Sequence, residues 1–150
     1  GKTHLEVSDW SGKLTKRASL LRSITLVDCN ITGLATILNA LGLSSLEQLI
    51  IIYNESVEEP DDEYGVPLIY LELMEAKMNA YKQLRYFEFS LYANVEEPSF
   101  SYEQIDALLN HLPDGIRECC IYTSYNMSNL DQLIKPWYTT KFEYLEIGFN

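Results

Sequence analysis

At 150 residues, 47% of them apolar, the chain has the length and the apolar share of about one folded domain. Its 22 acidic against 11 basic residues leave a net charge of −11, which argues against a nucleic-acid backbone or an anionic membrane as the main partner. Both need clustered Lys and Arg, so the charge suits a basic partner or simple solubility. No apolar run approaches ~18 residues, so no transmembrane helix is implied, and the start carries no signal-peptide pattern.

In chain order, Leu5-Glu-Val7 is a weak strand match. Leu21-x-x-Ile24-x-Leu26 is the first full one, followed by Cys29 and Ile31. Its form is apolar-x-x-apolar-x-apolar, and the last two positions alternate, so both side chains share one face of a strand. Thr32 to Gly42 then carries apolar residues at i, i+3, i+4 and i+7 (Leu34, Ile37, Leu38, Leu41), which predicts a helix with Thr32 as N-cap and Gly42 just past its end. Leu46-x-x-Leu49-x-Ile51 is the second strand, and the acidic Val57-Glu58-Glu59-Pro60 follows it. Pro67 to Tyr81 fits either a strand or a helix. Too little chain separates it from the next strand for a full repeat unit, so a helix is predicted, with Pro67 in its first turn and Leu71, Met74, Met78 and Tyr81 along one side. Leu84-x-x-Phe87-x-Phe89 is the third strand. Val95-Glu96-Glu97-Pro98 then repeats the earlier tetrapeptide after a step of 38 residues. A helix is predicted from Ser101 to Leu112, stopped by Pro113 and Gly115. The strand Ile116-x-x-Cys119-x-Ile121, a helix from Ser128 to Lys135 ended by Pro136, and the strand Phe142-x-x-Leu145-x-Ile147 complete the chain.

The five full strand matches start 25, 38, 32 and 26 residues apart. Leu21-Arg-Ser-Ile24-Thr-Leu26-Val-Asp-Cys29-Asn-Ile31 and Leu46-Glu-Gln-Leu49-Ile-Ile51-Ile-Tyr-Asn54 follow the pattern L-x-x-L-x-L-x-x-N/C. The chain therefore resembles an irregular leucine-rich-repeat protein, and its cysteine-bearing, helix-containing repeats are similar to those of F-box substrate receptors and intracellular immune sensors. Departures are the uneven repeat lengths, Phe at positions 87, 89 and 142, and the lack of Asn or Cys at the pattern's position after Phe89. The resemblance implies an α/β fold, a leucine-rich-repeat solenoid of about five to six repeats over residues 1–150, with parallel strands on the concave face and helices on the convex face. It also implies that Asn54 and Cys29 satisfy backbone groups at the bend after their strands, and that Cys119 points into the core while Cys120 points away. Repeats bury their apolar faces only against neighbours, so terminal repeats need caps. The last strand runs on to Asn150, and the first residue is Gly1 rather than Met, so the chain reads as part of a longer one.

Three cysteines are an odd count with no framework spacing, which suits an intracellular, cytoplasmic or nuclear, setting. The sequons at Asn30, Asn54 and Asn126 leave secretion open. Catalytic signals are wanting. Only two histidines occur, His4 and His111, and the latter sits near a predicted helix C-terminus, where a dipole contact explains it. No metal spacing and no nucleophile elbow is found. Gly1-Lys2-Thr3 lacks the rest of a phosphate loop, and Asp61-Asp62-Glu63 lacks the alternation of a calcium loop. The expectation is no enzyme, no cofactor and no metal.

On the implied fold, residues between the apolar positions face the concave surface. These are Ser23, Thr25 and Val27, then Gln48, Ile50 and Ile52, then Tyr86, Glu88 and Ser90, then Glu118, Cys120 and Tyr122, and last Tyr144, Glu146 and Gly148. Of these, Gln48, Ile50, Ile52, Tyr86, Glu88, Glu118, Tyr122, Tyr144 and Glu146 are the expected partner-binding residues, with Glu58, Glu59, Glu96 and Glu97 as an acidic rim. Tyr and apolar contact area favour an interface; a solvated sheet face is the alternative. The expected function is a non-catalytic protein–protein interaction domain docking a protein or peptide, a basic one by charge. The resemblance further implies substrate recognition in a ubiquitin ligase within a larger chain or complex. Ligand sensing in an immune or secreted receptor, and a purely structural scaffold, are the competing expectations.

Overall fold

The structure is a computed structural model, and it describes residues 4–8, 21–27, 33–41, 45–55, 68–93, 102–123 and 140–149. Six strands, β1 (His4–Ser8), β2 (Ser23–Val27), β3 (Gln48–Glu55), β4 (Tyr86–Ala93), β5 (Glu118–Thr123) and β6 (Tyr144–Phe149), form one sheet. Three helices, α1 (Leu34–Leu41), α2 (Leu68–Glu75) and α3 (Tyr102–His111), and a 3-10 turn at Met78–Ala80 lie between strands in the chain. The fold is α/β, with every strand pair parallel and the strands in sequential order.

The register is the informative feature. Ile24 pairs with Leu49, Leu49 with Phe87, Phe87 with Cys119 and Cys119 with Leu145; one step along, Leu26, Ile51, Phe89, Ile121 and Ile147 do the same. Each strand thus meets the next at the same position of the sequence pattern, and Leu5 and Val7 of β1 continue the rows. Just ahead of the strands, the N–H groups of Glu47 and Gln48 share the Arg22 carbonyl at 2.7 and 2.9 Å. The same shared bond recurs from Arg85 and Tyr86 to Glu47, from Arg117 and Glu118 to Arg85, and from Glu143 and Tyr144 to Arg117. Four identical junctions mean that β3, β4, β5 and β6 are each entered through the same local backbone arrangement.

Strand residues of one parity are buried in a single cluster with the helices. It joins Ile24, Leu26, Leu49, Ile51, Phe87, Phe89, Cys119 and Ile121 to Leu34, Ile37 and Leu38 of α1, Leu73 of α2, and Ile105, Leu108 and Leu109 of α3. Leu21, Leu46, Leu84, Ile116 and Phe142, the leading apolar residue of each pattern, are buried in it too. This follows from alternation in the strands and 3.6-residue spacing in the helices. Cys119 is a fully buried small apolar residue, as its place in the pattern predicts.

Two expectations need correction. The segment after position 67 is helical, but its α-helix ends at Glu75 and only a 3-10 turn follows. Its buried residues are Ile69, Leu73, Ala76, Met78 and Tyr81, and Met74 packs against the core; of the four residues expected along one side, Leu71 alone is exposed. The α-helix stops before Met78, so the spacing Leu71–Met74–Met78–Tyr81 runs past α2 and through the 3-10 turn and is not the face of one helix. Asn54 does not follow a strand end: β3 runs through it, and it pairs in register with Tyr92. Thr32, Gly42, Cys29 and the helix expected over 128–135 lie outside the described residues.

Polar bonds tie the helices in sequence. Glu72 on α2 accepts from the Gly33 N–H at 2.7 Å, at the start of α1, where Gly33 has φ +128°, a conformation that glycine adopts without a Cβ clash. The Lys77 N–H donates to Asn39 Oδ1 and the Tyr81 hydroxyl to the Leu38 carbonyl, at 2.7 and 2.6 Å. His111 Nε2 bonds the Ala76 carbonyl at 2.6 Å, linking the end of α3 to the end of α2. Lys141 donates to the carbonyls of Leu109 and Leu112 at 3.1 and 2.9 Å, satisfying the open C-terminus of α3. Among the described residues no helix is long and apolar enough to cross a membrane.

Candidate docking face

The strand residues of the other parity lie outside the core cluster and form the opposite face of the sheet. The register arranges them in three rows across β2 to β6. The first row is Ser23, Gln48, Tyr86, Glu118 and Tyr144; the second is Thr25, Ile50, Glu88, Cys120 and Glu146; the third is Val27, Ile52, Ser90, Tyr122 and Gly148. All nine expected partner-binding residues therefore share this one face. Gln48, Glu118, Tyr144 and Glu146 are exposed, and Ile50, Ile52, Tyr86, Glu88 and Tyr122 are partly so. Thr25, Ser90 and Cys120 belong to the face by register but are buried, so they offer a partner little surface. The acidic rim, Glu58, Glu59, Glu96 and Glu97, lies outside the described residues.

The face divides in character. Over β2 and β3 it is small and aliphatic: Thr25, Val27, Ile50 and Ile52. Over β4 to β6 it is tyrosine and glutamate. Tyr86 and Glu88 stand two residues apart on β4, so the strand period puts them on one side, and the Tyr86 hydroxyl donates to Glu88 Oε1 at 2.5 Å. That hydroxyl also lies 3.8 Å from the Cys120 sulfur. On β6 the same Tyr-x-Glu spacing recurs, and Tyr144 donates to Glu146 Oε2 at 2.7 Å. Tyr122 of β5 donates to the same oxygen at 2.9 Å. The Tyr122 ring lies across Gly148, where an added Cβ would meet its Cδ1 at 3.1 Å. A side chain at position 148 would push the ring away from its carboxylate.

These contacts set the protonation states. Burial first, then the bond to Glu88 and the neighbouring Cys120, hold the Tyr86 hydroxyl protonated well above its ordinary range. For Tyr122 and Tyr144 the bond to Glu146 is the leading cause of the same upward shift. In return the Tyr144 and Tyr122 hydroxyls hold the Glu146 carboxyl below its usual value, so it stays anionic to lower pH. Burial pushes the Cys119 thiol up, with Cys120 as a second cause, which keeps it from acting as a nucleophile near neutral pH.

A charged row borders the face at the strand entrances: Arg22, Glu47, Arg85, Arg117 and Glu143 occupy the position after the leading apolar residue of each pattern. Arg22 pairs with Glu47 at 3.1 Å and Arg117 with Glu143 at 2.7 Å, both solvent-exposed. Exposed pairs of this kind stabilise by well under 1 kcal/mol each; they fix the margin more than they stabilise the fold. Two signals for these features were present in the sequence: the repeated Tyr-x-Glu at one pattern position, and the Arg/Glu series at another.

The helical side holds a separate cleft of about 340 Å³, lined by Asn79, Tyr81, Lys82, Asn110, His111, Leu112, Asp114 and Gly115. His111 there is engaged with the Ala76 carbonyl. Among the described residues no three His, Cys, Asp or Glu side chains are placed to hold a metal ion. The open face presents phenol hydroxyls and carboxylates. No protein-family model, curated protein or solved structure matches the chain.

Proposed function

We propose that the chain is a leucine-rich-repeat solenoid acting as a non-catalytic interaction domain, with a protein or peptide partner docking on the open face of the sheet. The observation that carries this reading is the in-phase register. The same pattern position aligns on successive strands, so the outward residues of five strands add up to one continuous surface instead of scattered side chains. Tyr86, Tyr122 and Tyr144 supply large contact area of the kind enriched at interface centres, and Ile50 and Ile52 extend it. The free cysteines Cys119 and Cys120 support a reducing compartment. Substrate recognition in a ubiquitin ligase is the narrower role suggested by the resemblance, and co-purification of ligase core subunits is its test.

The docking reading is tested with the variant Tyr86→Ala/Glu88→Lys/Tyr144→Ala. Partner recovery is expected to fall by more than ten-fold while far-UV circular dichroism is unchanged, because truncating a hot-spot residue at an interface centre costs about 2 kcal/mol or more. Undiminished recovery would sink the reading.

A further inference from the structure

We propose that the open face seats an arginine side chain of the partner against Glu146, between the rings of Tyr122 and Tyr144. This deepens the docking reading above and rests on it. The first observation is the geometry at Glu146. Two hydroxyls, from different strands, converge on Oε2 at 2.9 and 2.7 Å, and Oε1 accepts no hydrogen bond among the described residues. The carboxylate is therefore held in place from two sides with one oxygen left to receive a donor. Holding an acceptor in its bound geometry beforehand reduces the ordering cost of binding.

The second observation is charge. Over β2 to β6 the outward positions carry Glu88, Glu118 and Glu146 and not one Lys or Arg. Arg22, Arg85 and Arg117 lie at the margin, and Arg117, which precedes β5, is paired with Glu143. Complementarity thus selects a cationic occupant and repels an anionic one. The third observation distinguishes arginine from lysine. Tyr144 is half exposed, and it is one of the few large apolar side chains left open to solvent among the described residues. A guanidinium stacks its plane on such a ring while one of its N–H groups reaches Oε1; a compact, strongly hydrated ammonium gains less from the ring.

The test uses the whole chain, labelled with ¹⁵N, and three short peptides that differ only in a central arginine, lysine or citrulline. At low salt the arginine peptide is expected to give saturable shifts at Tyr122 and over Tyr144–Gly148. The lysine peptide should bind several-fold more weakly and the citrulline peptide should leave the spectrum unchanged. Glu146→Gln should weaken arginine binding by about five- to ten-fold, in line with loss of a charge-assisted bond, whereas Glu146→Asp retains charge-dependent binding and serves if the Gln variant is poorly folded. Equal binding of citrulline, or shifts spread instead over distant acids such as Glu103 and Asp114, would overturn the seat. If the triple variant loses the natural partner while Glu146→Gln keeps it, the docking face stands and the arginine seat falls. If the arginine peptide titrates Glu146 while the triple variant keeps the natural partner, the seat stands and the wider docking reading falls.

Discussion

At the scale of single residues, Glu146 and the two tyrosines that bond it form an interdependent group on the open face. Their protonation is coupled, and the sign follows from each direction. Tyr122 and Tyr144 have folded values raised above the ordinary 10.0, so their contribution to stability is complete below pH 10 and is lost as the pH rises through the raised values. Glu146 has a folded value lowered from 4.5, so its contribution is present above that pH and is lost as the pH falls through the lowered value. Between those limits the group is intact. Ultraviolet titration of phenolate should show Tyr122 and Tyr144 ionising later than free tyrosine, and Glu146→Gln should bring both back toward 10. Gly148→Val should release Tyr122 selectively, because the new side chain occupies the space under the ring. Unaltered tyrosine titration in both variants would contradict the bonding described here. The strand alternation already allocated these residues to one face in the sequence. Their mutual bonds were not legible, because a pattern fixes which side a residue faces and not which neighbour its terminal atoms reach.

At the scale of elements, strands and helices differ in how openly the sequence announces them. The five full strand matches were readable because the leading apolar residue and the alternating pair are buried from Leu21–Leu26 through Ile116–Ile121, and in the last strand Phe142 is buried while Leu145 and Ile147 pack against the cluster. Helices α1 and α3 were readable because Leu34/Ile37/Leu38 and Ile105/Leu108/Leu109 form single stripes. Helix α2, Leu-Ile-Tyr-Leu-Glu-Leu-Met-Glu, has apolar side chains around most of its circumference, so spacing alone could not choose the buried side. The bonds between helices were equally hidden, being tertiary. Glu72 is the instructive case, since it acts as the N-terminal cap of a helix 39 positions earlier in the chain. Burial first, then Glu75, raises its carboxyl above the usual range, and backbone N–H groups of Leu34 and Ala35 oppose that rise. A raised carboxyl value means that the fold gains stability as the pH falls through it, and that the charge is a burden at neutral pH. Glu72→Ala should therefore lose about 1 kcal/mol in chemical denaturation, the usual penalty for losing a cap. Glu72→Gln retains an acceptor oxygen, so it should cost less and flatten the acid dependence of stability. A Gln variant as unstable as the Ala variant would show that charge, not the bond, is what α1 needs.

At the scale of the molecule, one sheet has a covered side and an open side. The covered side is a continuous apolar cluster under three helices, and the polar bonds from Gly33–Glu72 to Lys141–Leu112 fasten those helices to each other in chain order. The open side is the outward parity of the same strands, so packing that fixes the core also fixes which residues face away from it. That division was legible in the sequence from the alternation in the recurring pattern, and the parallel order of strands was implied by the resemblance to leucine-rich repeats. The two acidic Val-Glu-Glu-Pro segments, 38 residues apart, fall outside the described residues. The most direct measurement is photocrosslinking of the chain in its native extract, with a photoreactive phenylalanine analogue placed either at position 144 on the open face or at position 71 on the exposed side of α2. Docking on the open face predicts a discrete adduct from position 144 that disappears with Glu88→Lys, and none from position 71. A discrete adduct from position 71 alone would place the partner on the helices and contradict the account.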